Sequence, residues 1–179
     1  VIDKGTLSGL VSGYTETEHK HGDKLAIVHP QLCFPDGTFQ ESARRFPTPA
    51  IKFARLFGLE KKRRKLESLE VVLRKQVAKV DYAISAAWFM KTALFDTVGY
   101  LDETIFYAPE DAEFCARCMK YGYSVWYFPA VKVIHDCQRL TKRKPFSSLA
   151  VYHFKGLLYF WKKYGVVNMS KKIGPRRNA

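Results

Sequence analysis

Short apolar runs alternate along this chain with longer segments of helical periodicity, and this alternation constrains the fold more than any other feature. A run at residues 25–29 ends at Pro30, and a second at residues 123–128 ends at Pro129. Both runs are typical of buried strands. Residues 131–135 predict another strand, as does the loosely alternating segment 80–90. Strands that alternate with helices indicate an α/β domain.

The first half of the chain carries two helix signals. Apolar side chains recur at helical spacing in a helix that Asp3 could cap, and the polar residues 16–23 predict a loop after it. Thr48 followed by Pro49 has the order of an N-cap and a first helical residue, and predicts a short helix that ends near Gly58. The apolar positions of the first helix are Leu7, Leu10, Val11 and Tyr14.

The second half predicts three more helices. One occupies residues 92–98, and one extends from Pro109 to Gly122. Ser147 or Ser148 can cap a long amphipathic helix. The predicted inner face of that helix comprises Ala150, Phe154, Leu157, Leu158, Trp161 and Tyr164.

A tight turn interrupts the strand–helix alternation near the first strand. Pro35, Asp36 and Gly37 have the dihedral preferences of a hairpin turn between residues 31–34 and 38–40. An antiparallel hairpin within an α/β chain favours a mixed sheet over a purely parallel one.

The formal net charge of the 179 residues is +13, which favours anionic partners such as nucleotide phosphates, lipid headgroups or nucleic acid. Cationic runs occur at residues 61–65, at residues 139–144 and in the C-terminal tail. Such runs are usually solvated surface. The run at residues 139–144 follows His135, however, and could stabilise a diphosphate leaving group through Arg139, Lys142 and Arg143.

Several features favour a cytoplasmic protein. No basic start followed by an apolar stretch is visible, and no apolar run approaches the roughly 20 residues that span a bilayer. The four cysteines do not suggest a secreted disulfide framework. Cys115 and Cys118 have zinc-type spacing, and Cys137 with His135 could complete a site. Their place inside a helical pattern favours small core residues instead.

Three carboxylates, Glu110, Asp111 and Glu113, lie within the first turns of the helix predicted after Pro109. The partial positive charge of a helix N-terminus favours their ionised form. An ionised carboxylate at a loop-to-helix junction can take a proton from an incoming hydroxyl. Capping of the helix by acidic residues is the structural alternative.

His135 is the second candidate. It leaves the end of a predicted strand and could bind a metal or a phosphate, although a single histidine is more often structural.

Taken in order, these segments resemble glycosyltransferase family 2, and most of all its bacterial rhamnosyltransferase-like branch. The resemblance covers nearly the whole chain, and its specificity lies in the order and spacing of individually weak motifs. The matching residues include Val28 to Pro30, Pro35 to Gly37, Gln40 to Pro47, Val80 to Tyr82, Ser85 to Ala87, Gly99 to Glu103, Glu110 and Asp111, Cys115 and Arg117, Gly122 and Tyr123, Pro129, His135, Gln138 and Arg139, and Tyr152 to Gly165.

The resemblance implies an α/β fold of the GT-A type and inversion at the sugar carbon. It implies that Asp111 is the catalytic base, with Glu110 beside it in the Glu-Asp motif. It also implies a divalent cation, manganese or magnesium, with His135 as a ligand. The expected acceptor pocket includes Ser85, Ala86 and Trp88, with Ser85 standing where the family usually has glycine.

The family's nucleotide-binding βαβ region and D-x-D motif lie upstream of the segment that matches residues 25–30, and the present sequence contains no Asp-x-Asp. We therefore expect a partial GT-A fold that lacks this region. The chain would be the C-terminal, acceptor-side part of the enzyme and inactive alone. Residues 1–140 would belong to the glycosyltransferase domain, and residues 141–179 would form a basic loop, an amphipathic helix and a basic tail.

The implied partners are a nucleotide-diphosphate sugar and a glycan or polyprenyl-linked acceptor used in bacterial cell-surface polysaccharide synthesis. A lipid-linked acceptor would bring the protein to the inner face of the cell membrane. We expect the basic tail after Gly165 to touch anionic lipid there and to contribute little to stability.

Two other functions are compatible with the composition. The charge alone permits a basic α/β module that binds nucleic acid, but such a module needs aromatic residues interleaved with cations on an exposed sheet. Most aromatic residues here occur in core-like patterns, which disfavours it. A non-catalytic member of the same family is the other alternative.

Overall fold

A computed structural model of the protein describes residues 4–22, 24–137 and 147–173. Strands and helices alternate, and the α/β prediction is confirmed. The elements in chain order are α1 (Lys4–His21), β1 (Lys24–Cys33), β2 (Phe39–Gln40), β3 (Ala43–Arg44), α2 (Pro49–Leu56), α3 (Glu60–Glu67), α4 (Glu70–Leu73), β4 (Ala78–Val80), β5 (Tyr82–Ala83), α5 (Leu94–Val98), α6 (Glu110–Lys120), β6 (Tyr123–Ile134), α7 (Ser148–Tyr164) and α8 (Met169–Ile173).

The main sheet has four strands in the order β2-β1-β6-β4. Its two central strands, β1 and β6, are parallel, whereas β2 and β4 each run antiparallel to their neighbour. The predicted hairpin is present, with Leu32 opposite Gln40 and Cys33 opposite Phe39. The sheet is therefore mixed, as the turn at residues 35–37 predicts. A smaller sheet pairs β3 with β5.

Both central strands continue past the prolines that were expected to end them. Pro30 is opposite Phe128, but the next pair is Gln31 with Lys132, so residues 129–131 of β6 form a bulge. Proline has no N–H to donate to a ladder, and a bulge is one of the few places where a sheet tolerates it. The prediction of two separate strands on either side of Pro129 is wrong for this reason.

Residues 80–90 do not form the single strand that their alternation predicts. Strand β4 ends at Val80 and β5 at Ala83, after which the chain turns back so that the Trp88 indole donates to the Ala83 carbonyl at 3.1 Å. The backbones of Phe89 and Val28 then exchange hydrogen bonds of 2.9 and 3.0 Å. Residues 84–88 are thereby held as a loop beside β1.

Helix α1 covers one face of the sheet. Leu10 and Tyr14 pack with Val28, Trp126 and Phe128 in a separate apolar cluster. The helix continues to His21, through part of the segment predicted as a loop from residue 16. Contacts with the sheet explain the difference, because Thr17 is buried and the His21 ring stacks on Trp126 with a centroid separation of 4.0 Å.

Helices α6, α7 and α8 cover the other face, and Glu113 links two of them. This carboxylate is fully buried on α6. It accepts hydrogen bonds from Lys163 at 2.8 Å and from the Tyr164 hydroxyl at 2.8 Å, both on α7. Arg117, one turn further along α6, pairs with it at 2.9 Å. A buried carboxylate requires such partners, since an unpaired one destabilises a fold strongly.

Helix α7 begins after Ser147, whose hydroxyl caps it as predicted, but its inner face is rotated from the predicted one. The buried residues are Gly156, Leu157, Phe160 and Tyr164, whereas Phe154 and Leu158 are about half exposed, at 57% and 49%. A Cβ at position 156 would overlap the carbonyl oxygen of Ala108, so glycine there lets α7 press on the chain just before α6. Among the described residues, no helix has the length and apolarity that crossing a membrane requires.

The segment after Gly165 is not simply a tail. Residues 169–173 form α8, and Met169 and Ile173 belong to the same apolar cluster as α6. The Ser170 hydroxyl donates to the carboxylate of Asp81 at 2.7 Å. The expectation that residues beyond Gly165 contribute little to stability is wrong for α8, because its apolar side chains are buried.

We predict that Met169→Ala lowers the free energy of unfolding by about 2–4 kcal/mol, since it empties a buried site that the neighbouring helices cannot fully close. The matched control is Val167→Ala, two residues away and 56% exposed, which should change stability by less than about 0.5 kcal/mol. Urea unfolding of both variants is the measurement. Equal, small effects would mean that α8 does not pack on the core.

Candidate functional site

A cleft of about 430 Å³ opens where several elements converge beyond the ends of the central strands. The loop after β5, the chain before α6, the first residue of α6, the residue after β6 and the first half of α7 all contribute. The lining residues are Ile84, Ser85, Ala86, Tyr107, Ala108, Glu110, His135 and His153.

The direction of the central strands explains the position of the cleft. Because β1 and β6 are parallel, their carboxyl ends meet at one edge of the sheet, which is where α/β proteins bind ligands. His135 follows β6 at this edge, and its backbone N–H donates to the Cys33 carbonyl at 2.9 Å. Its ring is held through Nδ1, which lies 3.1 Å from Oε1 of the buried Gln40.

Glu110 is the carboxylate on the wall of the cleft. Burial, followed by the charge of neighbouring Asp111, raises the pKa of Glu110 to about 7. Its Oε2 is buried and has no hydrogen-bond partner among the described residues. A carboxyl group that titrates near neutral pH and is not neutralised by an ion pair is typical of sites that move protons.

Asp111 is the second residue of α6 and lies next to Glu110 rather than on the lining itself. Burial raises its pKa. The backbone N–H of Ala112, which donates to Oδ1 at 2.7 Å, and the positive charges of Lys52 and Arg44 act in the opposite direction and lower the pKa. The charge of Asp111 contributes to keeping the proton on Glu110. The two carboxyl groups are therefore coupled, and both pKa values lie above their ordinary range.

Lys52 and His153 form a pair that connects α2 and α7 beside these carboxyl groups. Lys52 Nζ lies 3.3 Å from His153 Nε2. Burial and then the charge of Arg55 lower the pKa of Lys52 to about 8, and burial and then Lys52 lower the pKa of His153 to about 4. At neutral pH a neutral His153 thus accepts from the ammonium through Nε2, and Nδ1 carries the ring proton.

Sequence reasoning missed Lys52. It lies on a short helix between apolar neighbours, and only the packing of α2 against α7 shows that it faces Asp111. His153 belongs to the closing segment that resembles the rhamnosyltransferase-like branch, and that was the only signal for it in the sequence.

The structure separates the three residues predicted to bind the acceptor. Ser85 and Ala86 are exposed and line the cleft. Trp88 packs on Phe114 with a centroid separation of 5.5 Å, and its indole N–H is used by Ala83. It is not among the lining residues, and it shapes the loop that carries Ser85 and Ala86.

The predicted diphosphate-binding residues, Arg139, Lys142 and Arg143, lie outside the described residues, so their place remains a prediction.

The described residues do not build a metal site by themselves. In residues 4–22, 24–137 and 147–173 no three histidine, cysteine or acidic side chains converge in a way that could hold an ion. Cys115 and Cys118 are buried on the inner face of α6, in the apolar cluster, as core residues would be. His135 as a ligand of manganese or magnesium therefore stays a prediction, and no chemical step is derived through a metal.

The architecture and one comparison indicate the same class of protein. An α/β domain with a mixed four-stranded sheet is compatible with part of a glycosyltransferase fold. Over 69 residues the chain is 32% identical to the dTDP-rhamnosyl transferase RfbF of Shigella flexneri. This similarity supports a transferase of the glycosyltransferase class at a coarse level.

The match covers 38% of this chain and 23% of that relative, so the chain matches less than a quarter of the relative's length. No known protein family profile matches the chain. No solved structure matches it either.

We predict that Glu110→Gln stabilises the protein above pH 7 by up to about 3 kcal/mol, at about 1.4 kcal/mol per unit of pKa difference. The folded-state pKa of Glu110, about 7, lies above its ordinary value of 4.5. The parent's free energy of unfolding should therefore fall between pH 4.5 and 7, where only the folded state holds the proton. The Gln variant lacks this decline.

Unfolding by urea at several pH values measures the difference, which should vanish below about pH 4.5. Glu103→Gln, at an exposed position, is the control and should follow the parent throughout. A Glu110→Gln profile parallel to the parent's would show that Glu110 is not held protonated.

Proposed function

We propose that this chain carries the acceptor side of an inverting glycosyltransferase. The enzyme would transfer a sugar from a nucleotide diphosphate to a hydroxyl of a glycan or lipid-linked acceptor during bacterial cell-surface polysaccharide synthesis. The observation that carries the proposal is the coupled pair of carboxyl groups at the start of α6, with Glu110 on the wall of a sugar-sized cleft. The similarity to a rhamnosyl transferase supports the reaction class.

Asp111 is the proposed base. Its charge contributes to keeping the neighbouring Glu110 protonated, and the ammonium of Lys52 faces it. The acceptor hydroxyl gives its proton to this carboxylate, and the oxygen attacks the anomeric carbon as the bond to the diphosphate breaks. The nucleotide diphosphate leaves with the electron pair of that bond, and the sugar carbon is inverted.

The remaining cleft residues would position the acceptor. Ser85 offers a hydroxyl on the loop opposite α6, and His153 offers the N–H of Nδ1, because Nε2 is occupied by Lys52. Tyr107 lies beside His153 with a ring-centroid separation of 6.4 Å. Positioning of this kind accounts for much of the rate in a displacement that needs little covalent help from the protein.

Arg139, Lys142 and Arg143 are proposed to neutralise the departing diphosphate, since they lie shortly after His135 in the sequence. Because the relative is a dTDP-rhamnosyl transferase, dTDP-rhamnose is the first donor to test.

The alternative of a nucleic-acid module gains no support from the sheet. Residues 25–33 of β1 and 124–128 of β6 are buried, so the aromatic side chains of these segments are not displayed for base stacking.

We predict that Asp111→Asn lowers turnover with dTDP-rhamnose by roughly 10²–10⁴-fold, the usual scale for loss of a general base. The assay should use protein expressed from the whole natural reading frame, with a lipid-linked glycan as acceptor. Asp96→Asn, an exposed aspartate on α5, is the matched control and should retain parental turnover. Near-normal turnover of a folded Asp111→Asn would remove Asp111 from the mechanism and favour a non-catalytic family member.

We predict that His135→Ala weakens donor binding in the presence of manganese or magnesium more than it weakens the fold. Calorimetric titration with dTDP-rhamnose, with and without the metal, measures the effect, and thermal unfolding reports on the fold. His19→Ala, an exposed histidine on α1, is the control. Unchanged donor affinity would assign His135 a structural role through its contact with Gln40.

A further inference from the structure

Helix α2 is apolar on two sides, and within residues 4–22, 24–137 and 147–173 only one of these sides is buried. Ile51 and Ala54 are buried against the core. Phe53, Leu56 and Phe57, on the other side, are 54%, 80% and 60% exposed, and the rings of Phe53 and Phe57 contact each other with centroids 4.3 Å apart. Single exposed apolar residues are ordinary, but a contiguous exposed set indicates an interaction surface.

The chain leaves α2 through a defined turn that keeps this side outward. Gly58 has a φ of +65°. The Leu59 N–H donates to the Ala54 carbonyl at 2.8 Å, and the Gly58 N–H donates to the Arg55 carbonyl at 3.4 Å. This pattern is a Schellman motif, in which a left-handed glycine ends a helix. It leaves Leu59 42% exposed, next to the apolar side of α2.

Helix α3 follows at once and exposes cations. Lys61, Lys62, Arg64 and Lys65 are all exposed. The exposed acid of this helix, Glu60, is paired with Arg63 at 2.8 Å, so it does not neutralise these four side chains. The apolar side of α2 is thus continuous in sequence with a cationic helix.

A buried carboxylate fixes the two helices to each other. Glu67 of α3 pairs with Arg55 of α2 at 2.6 Å, with Arg63 at 2.7 Å and with Arg44 at 3.3 Å, and its side chain is only 3% exposed. The corner formed by α2 and α3 is therefore a preformed surface.

We propose that this α2–α3 corner, residues 49–65, docks on an anionic lipid surface. Phe53, Leu56 and Phe57 enter the boundary between headgroups and acyl chains, while the exposed cations of α3 contact lipid phosphates. Apolar residues next to cations are the two features that bind a peripheral protein to an anionic bilayer. A polynucleotide would use the cations but would leave Leu56, the most exposed of these side chains, in water.

The proposal replaces the C-terminal tail with a different segment as the lipid contact, and it does not depend on the transfer reaction. Lys52 contacts the cleft residue His153 from the same helix whose next residue, Phe53, is exposed. Docking through α2 would therefore hold the cleft close to the lipid surface.

The test is flotation of the 179-residue chain with vesicles of phosphatidylcholine, alone or with 30% phosphatidylglycerol added. The parent should bind the anionic vesicles and release them as salt increases. Leu56→Ser with Phe57→Ser, and separately Lys61→Glu with Lys62→Glu, should each lower the partition coefficient at least about tenfold, since each cation near an anionic surface contributes several-fold. All variants should keep the parent's thermal unfolding temperature, because the changed side chains are exposed.

Matched controls place the same changes elsewhere. Phe154→Ser, on the exposed side of α7, and Lys20→Glu with Lys120→Glu should bind vesicles as the parent does. Loss of binding in Phe154→Ser alone would assign the contact to α7 and overturn the proposal. Unchanged vesicle binding by the α2 and α3 variants would overturn the proposal as well.

Two further outcomes would overturn the docking proposal. The first is a parent that is dimeric in light scattering, does not bind vesicles, and becomes monomeric with Leu56→Ser and Phe57→Ser. The second is a random oligonucleotide that binds as tightly as vesicles, with an affinity that the α2 variant does not change. Asp111→Asn should bind vesicles normally in either case, so failure of the docking proposal is distinguishable from failure of the proposed reaction.

Discussion

The ion pairs of buried Glu113 hold together the half of the structure that contains the site. Its carboxylate joins α6 to α7 through Lys163 and Tyr164, while Arg117 neutralises it from within α6. Lys163 also reaches Asp102, in the chain between α5 and α6, at 2.9 Å. A fully buried charge is tolerated only while all of these partners are in place, so the direction of α6, and with it the position of Glu110, depends on them.

Helix α6 thus carries, within about one turn, acidic residues in different environments. Glu113 is surrounded by cations and a hydroxyl, and its role is structural. Glu110 has a buried oxygen without a partner and a pKa of about 7. Asp111 is intermediate, because Lys52 and Arg44 act on it through their charge, and it has no direct ion pair within the described part of the chain. The same side-chain chemistry is used for cohesion at one position and left available for proton transfer at another.

The sequence predicts most elements of the fold but not how they meet. Thr48 with Pro49, Ser147, and Pro35 to Gly37 encode caps and a turn locally, and the structure contains all three. Residues 80–90 and the face of α7 were misjudged, because periodicity records apolar positions without saying which neighbour covers them. Helix α8 was missed because it has only five residues and depends on the burial of Met169 and Ile173 in the core.

The residues of the candidate site were likewise only partly predictable from the sequence. Glu110, Asp111, Ser85, Ala86 and His135 came from a motif order that resembles a known family, and all but Asp111 line the cleft. Lys52 could not be predicted, because its importance arises from a contact between residues that are far apart in sequence. The coupling of Glu110 to Asp111 also depends on burial, which sequence does not report.

The bulge in β6 has an evolutionary consequence. Side chains of a strand alternate between the two faces of a sheet, and the odd number of extra residues at positions 129–131 reverses this alternation before the strand ends. His135 follows the strand just beyond that reversal, and it lines the cleft. A lineage that gained or lost one residue in the bulge would have to rebuild the bulge or slip the pairing of residues 132–134 with β1, and a slip of one residue would turn this histidine towards the opposite layer. Chain length between Phe128 and Lys132 should therefore be inherited more strictly than the identity of the residues there.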